Sequence, residues 1–160
     1  MIDKSEKKMA KKLSARLSKA SGAVNDDADM RIPGFLIESK RRENIGNKII
    51  FNVKFWEKLR KQSVRTNRVP VYAWHTNNQC FCITYKDNMC ELLQKLKKPI
   101  QSSIVSFMKS INIIVKIEDY YLLHDTAYNS GKTPSAEFPY NHILMSIVDF
   151  DTFKKCTEAS

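Results

Sequence analysis

Glu38 and Lys40 stand two residues apart in the run Phe35-Leu36-Ile37-Glu38-Ser39-Lys40, behind a Pro33-Gly34 pair that Asp29 precedes. Pro at the second and Gly at the third position of a turn suit type II geometry. The segment therefore predicts two strands, 27–33 and 34–41, joined at Pro33-Gly34. With those two residues as the loop, Ile32 faces Phe35 and Asp29 faces Glu38. Directly opposed residues bring their Cβ atoms to ~4.5–5.5 Å. Two carboxylates so placed repel each other unless a cation lies between them or one is protonated. The strand period of two puts Lys40 on the face that carries Glu38. Mg²⁺ takes a couple of carboxylates together with waters and phosphate oxygens, and an amine beside it can orient or deprotonate an attacking water. Such a trio is suited to hydrolysing a phosphodiester. The ordinary alternatives are a Glu-x-Lys spacing arising by chance and an ion pair between Lys40 and Asp27, which face each other in the same register. Parity places Asp26 on the other face.

The elements that must position these groups follow from periodicity. Residues 4–20 read as an amphipathic helix with Met9, Leu13 and Leu17 on one stripe. Seven of residues 4–19 are Lys or Arg, and Ser21-Gly22-Ala23 ends the segment. Glu6 lies at the edge of the inward stripe, facing the sheet, where it could help hold a metal; a first-turn glutamate favouring the helix dipole is the alternative. Phe35-Leu36-Ile37 is apolar on both faces, as a central strand would be. A second helix is expected over 52–66, with Asn52 as N-cap. It turns Phe55, Trp56, Leu59 and Ser63 inward and Lys54, Lys58, Arg60, Lys61 and Arg65 outward. Strands at 69–74 and 80–85 flank a turn at 76–78. A helix at 87–97 puts Met89, Leu92, Leu93 and Leu96 inward. Beyond it come a strand at 111–117, a loop at 128–139 rich in turn residues, a strand at 142–148 and a helix at 149–155. The expectation is one mixed α/β domain.

The 160 residues carry 27 Lys and Arg against 17 Asp and Glu, a net charge of +10. Such an excess points to polyanionic partners. Nucleic acid leads, because phosphates release counterions to each bound cation, and an anionic membrane surface competes. No stretch approaches the ~18 apolar residues of a membrane span, and the lysine-bearing N-terminus lacks the apolar core of a signal peptide. An intracellular, cytoplasmic protein with no membrane partner is expected, its cysteines reduced. His75, Cys80, Cys82 and Cys90 could be drawn as a zinc site, but Cys-x-Cys is poor knuckle spacing, and residues 79–83 read as a buried strand.

Taken in order, Glu6-Lys7-Lys8-Met9-Ala10-Lys11-Lys12-Leu13, Arg16-Leu17, Ser21-Gly22-Ala23, Asp29 and Phe35-Leu36-Ile37-Glu38-Ser39-Lys40 resemble the archaeal and phage Holliday junction resolvase-like branch of the PD-(D/E)XK nuclease superfamily. Phe55-Trp56-Glu57-Lys58-Leu59 and Arg68-Val69-Pro70-Val71 look like that family's next helix and strand, so the resemblance covers roughly residues 5–95. It implies a restriction-endonuclease-like α/β core, a mixed β-sheet flanked by helices, over about 4–97 and 141–156, with a C-terminal elaboration inserted at about 98–139. It implies Mg²⁺ or Mn²⁺ held by Asp29, Glu38, Glu6 and the backbone carbonyl of Ser39. Lys40 would position the water, and Ser21 would sit beside the scissile phosphate. The DNA-contacting residues would be Lys11, Lys12, Arg16, Arg41, Arg42, Lys54, Lys58 and Lys61. The expected substrate is branched DNA, and the expected assembly a homodimer, whose two-fold symmetry suits paired nicks. Ala28 stands where the family often has Gly, and Asp26 and Asp27 crowd Asp29. Residues 98–139 match no part of the family and could be a dimerisation or DNA-binding insertion, or an elaborated edge of the sheet. Two other readings are a restriction-like or repair nuclease acting on duplex or flap DNA, and a catalytically dead nucleic-acid-binding protein of the same fold.

Overall fold

In the computed structural model, residues 16–17, 30–41, 48–75, 79–96, 108–129 and 135–158 are described. Gly34 adopts φ +84°, the left-handed value that the third position of a type II turn requires. Its carbonyl accepts the Val69 N–H at 2.8 Å, which ties the turn to a strand far along the chain. Strands β2 (Met30–Ile32) and β3 (Phe35–Arg41) leave the turn antiparallel, with Met30 opposite Ile37, Arg31 opposite Leu36 and Ile32 opposite Phe35. That is the expected register.

Parallel strands cannot be joined by a tight turn. Between β3 and its parallel neighbour β5 (Val69–His75) the chain inserts β4 (Lys48–Asn52) and helix α1 (Val53–Thr66). Asn52 caps α1, its side chain accepting from the N–H groups of Lys54 and Phe55. Asn67, with φ 52° and ψ 47°, ends it in the left-handed conformation, as a helix C-terminus commonly does. Next come β6 (Cys80–Tyr85), α2 (Lys86–Leu93), β7 (Asn112–Ile117), β8 (Tyr120–Asp125), β9 (Ala127–Asn129), β10 (Ser135–Tyr140), β11 (Ile143–Asp149) and α3 (Phe150–Glu158). With β1 (Arg16–Leu17), the main sheet has the order β1-β2-β3-β5-β6-β11-β10-β9, and β4-β7-β8 forms a second, three-stranded sheet. The fold is mixed α/β, and its main sheet is antiparallel except at β3 and β5.

Strand alternation splits the interior in two. Leu36, Tyr72, Trp74, Phe81 and Ile83 point to the side covered by α1 and the small sheet, where Ile49, Phe51, Trp56, Leu59, Ile113 and Val115 meet them. Ile37, Val71, Ala73, Cys82 and Val148 point to the other side, under Met89, Leu92, Phe153 and Cys156 of α2 and α3.

Three expectations need correction. Arg16 and Leu17, placed in the helix at 4–20, form a strand paired with Arg31 and Met30. Without them the three-residue β2 would leave its outer N–H and C=O groups as a free edge, a tertiary demand that a four-residue apolar stripe does not reveal. The rest of 4–20 lies outside the described residues. The segment 128–139, expected as a loop, contains β10 and part of β9. Pro139 misled there: β9 pairs only with residues 135–137, so Pro139 lies beyond that ladder, facing Leu144 alone, where a missing N–H is tolerated. Residues 98–139 thus supply β7 and β8 of the small sheet as well as β9 and β10 at the edge of the main one. Finally, β4 and β8 were not anticipated, and α2 is shorter than the expected 87–97 helix.

A polar clasp joins α1 to β10. Glu57 accepts from Arg60 Nε at 2.7 Å and from the Tyr140 hydroxyl at 2.9 Å. Burial raises the Glu57 carboxyl, but the bonds from Arg60 and Tyr140, with the charges of Arg60 and Lys61, outweigh it, so Glu57 titrates below its usual value. Burial, then the bond to Glu57, pushes Tyr140 up to about 12. A tyrosine with a raised folded pKa keeps a proton that the unfolded chain releases. Its stabilisation is whole below the ordinary tyrosine value of 10.0 and fades as pH rises toward about 12. Urea unfolding across that alkaline window should show Tyr140→Phe losing less stability with pH than the parent chain; equal slopes would show that the clasp does not carry the effect.

Candidate active site

Glu38 and Lys40 project from β3 toward α1, on the face that carries Leu36. In the parallel ladder Glu38 lies beside Tyr72 and Lys40 beside Trp74, and both aromatic side chains are fully buried. The pair therefore stands at the rim of the larger core. Lys40 Nζ is 3.1 Å from Glu38 Oε1, with the side chains 25% and 15% exposed respectively. The same ammonium lies 4.1 Å from the centre of the Phe55 ring, close enough for cation–π attraction. Lys40 is held from two sides, by a carboxylate on its own strand and a ring on the helix. A charge pair this enclosed is a poor stabiliser, because desolvation consumes most of its Coulomb gain.

A cavity of about 230 Å³ opens there, lined by Glu38, Lys40, Lys54, Phe55, Lys58, Leu59 and Gln62. Along the outer side of α1 runs a wider groove of about 550 Å³, lined by Lys54, Glu57, Lys58, Lys61, Gln62 and Arg65. Lys54, Lys58, Lys61 and Arg65 recur every three to four residues, so they share one face of the helix, and all four are exposed. At ~1.5 Å rise per residue they span roughly 16 Å. The helix is seated by Trp56, Leu59, Gln62 and Ser63, all buried, which leaves this basic face outward.

Of the residues expected at the site, the structure brings together Glu38 and Lys40, with Lys54 and Lys58 lining the same cavity and Lys61 in the adjoining groove. Ser39 turns its side chain to the opposite face and is 5% exposed, so only its backbone could serve the Glu38 side. Arg16 belongs to β1, and Arg41 is the last residue of β3. Glu6, Lys11, Lys12, Ser21, Asp26, Asp27, Asp29 and Arg42 lie outside the described residues. Among the described residues no three His, Cys, Asp or Glu side chains gather as a metal-ligand group. The zinc alternative finds only a pair, Cys80 Sγ at 3.8 Å from His75 Nε2. Cys82 is buried in the second core, and that burial raises its thiol well above the usual value. Among the described residues no helix is long and apolar enough to cross a membrane.

Two lining residues escaped the sequence reading in part. Periodicity marks Phe55 only as an inward residue, yet its ring also backs the Lys40 ammonium. Gln62 was not singled out, although a polar residue on the helix's inner face, four positions after Lys58, was the available signal.

Comparison of the chain with known protein families, with characterised proteins and with solved structures finds no match in any of the three.

The site depends on where α1 begins, and that is set by the Asn52 cap. Asn52→Ala should cost about 1 kcal/mol, read as a lower urea midpoint at unchanged slope, whereas Asn52→Asp should retain most of the stability. An unchanged midpoint in Asn52→Ala would show that packing alone sets the start of the helix.

Proposed function

We propose that this chain is a metal-dependent endonuclease of the PD-(D/E)XK class, with a restriction-endonuclease-like core, that hydrolyses phosphodiester bonds in branched DNA. The observation that carries the reading is the Glu38–Lys40 pair, 3.1 Å apart on one face of β3, beside a cavity whose other wall is a lysine-bearing helix. The topology supports it too: an antiparallel hairpin continues into a parallel strand pair bridged by a helix. The register Met30↔Ile37 is the one on which the expectation of Asp29 opposite Glu38 rests.

The donor set suits a hard cation. Glu38 offers an oxygen ligand at a cavity with room for water and a phosphate group. Glu38 and the Ser39 carbonyl, with Asp29 and Glu6 as the resemblance implies, would hold Mg²⁺ or Mn²⁺. When bound, that ion would supply positive charge beside the phosphate and a more acidic water. The chain's own groups perform the rest. Lys40, prevented from swinging away by Glu38 and Phe55, would orient the attacking water through its N–H donors and offset charge developing on the phosphoryl oxygens. Lys54, Lys58, Lys61 and Arg65 would hold neighbouring phosphates, contacts that position a strand without reading its sequence. A homodimer would present two such sites to a two-fold substrate.

The test is nicking of four-way junctions, flaps and linear duplex, with and without Mg²⁺. Glu38→Ala and Lys40→Ala should each abolish Mg²⁺-dependent cleavage while DNA binding persists; cleavage surviving in both variants would defeat the assignment. DNA binding itself should weaken steeply with salt. Replacing Lys54, Lys58 and Lys61 by Ala should flatten the log–log slope by about 2–3, at ~0.9 per lost phosphate contact. An unaltered slope would remove the helix from the DNA-binding surface.

A further inference from the structure

Gln62 is a buried amide whose donor is unmet among the described residues. It is 4% exposed, and its Nε2 has no hydrogen-bond partner among the described residues. It also lines both the Glu38–Lys40 cavity and the basic groove, and thus stands where the two meet. An amide N–H₂ shut away from water without an acceptor is a standing cost to the fold. Its neighbours indicate what would satisfy it. Lys54, Lys58 and Gln62 follow one another at intervals of four along α1, so they form a single ridge. The two lysines are exposed and the glutamine is buried. Two ammonium groups leading to an N–H donor make a surface of donors, complementary to an anion with several oxygens.

We propose that Lys54, Lys58 and Gln62 form a phosphate subsite, distinct from the Glu38–Lys40 pair, that takes a non-scissile phosphate of the nucleic-acid backbone. The inference rests on the nuclease reading for its macromolecular ligand, but the recognition chemistry is that of any phosphate group, and inorganic phosphate is therefore a sufficient probe. Gln62 acts here as a positioning residue. Its neutral donor supplies direction at the buried end, while Lys54 and Lys58 supply charge at the open end. Trp74 Nε1, also without a hydrogen-bond partner among the described residues, lines neither of these cavities.

Gln62→Met separates this role from a structural one. The substitution keeps the length of the side chain and removes the donor, so the variant should melt at the same temperature as the parent chain or higher. It should bind a short DNA about tenfold more weakly in Ca²⁺ without Mg²⁺, by fluorescence anisotropy. Inorganic phosphate should raise the melting temperature of the parent chain above that in chloride of equal ionic strength, and this increment should vanish in Gln62→Met. A lower melting temperature in the variant, or unchanged DNA binding with an unchanged phosphate increment, overturns the subsite. Parent-chain cleavage is scored separately. Loss of the phosphate increment in a chain that never cleaves DNA would keep the subsite and discard the nuclease, whereas full cleavage and binding in Gln62→Met would do the reverse.

Discussion

The seating of one helix on one ring governs this structure. Phe51, the penultimate residue of β4, has its ring 5.6 Å from Trp56, 5.7 Å from Tyr72, 5.3 Å from Phe138 and 5.4 Å from Tyr140. It thus touches α1, β5 and β10 at once. Trp56 in turn packs edge-on against Tyr85 of β6 at 5.4 Å. Side chains of this size contribute about 1.5–3 kcal/mol each when fully buried, and their contact geometry adds direction to that burial. Because the cluster pins α1 where the small sheet meets the main one, the distance from helix to β3 is not free to vary. The space left beneath the helix's lysines is what receives Glu38 and Lys40.

That placement sets the chemistry. On an open strand face, a glutamate and a lysine two apart would be solvated and weakly coupled. Here they border fully buried Tyr72 and Trp74, and the low polarity of that wall strengthens electrostatic forces across the cavity. The same surroundings make the site expensive to build. An enclosed ion pair adds little stability, and a buried amide such as Gln62, without an acceptor among the described residues, subtracts from it. The Glu38–Lys40 pair and the Gln62 amide both border the cavity between α1 and β3. The Glu57 clasp to Arg60 and Tyr140 meanwhile braces the opposite side of the helix.

The C-terminal part completes the scaffold. β11 inserts beside β6, and β10 and β9 continue the sheet outward, while α3 covers the second core with α2. The small sheet closes the first core, and its edge strand β8 exposes Tyr120, Tyr121, Leu122 and Leu123. Among the described residues β7 is the one strand that pairs with β8.

Wherever local chemistry sufficed, the sequence by itself determined the element. The Pro33-Gly34 turn and its register, the Asn52 cap, β6 at Cys80–Tyr85 and the inward Trp56 and Leu59 all follow from turn geometry, capping and periodicity, which act over a few residues. Parity alone put Glu38 and Lys40 on one face. Other features were decided only by tertiary structure. A strand at Arg16–Leu17 exists because β2 needs a neighbour, and a strand containing Pro139 is possible because β9 stops short of it. β4 and β8 gain their identity from β7, to which both pair. The contact of Lys40 with the Phe55 ring and the burial of the Gln62 amide depend on how closely α1 approaches β3. Large aromatic side chains far apart in the chain set that approach, and no local pattern encodes it.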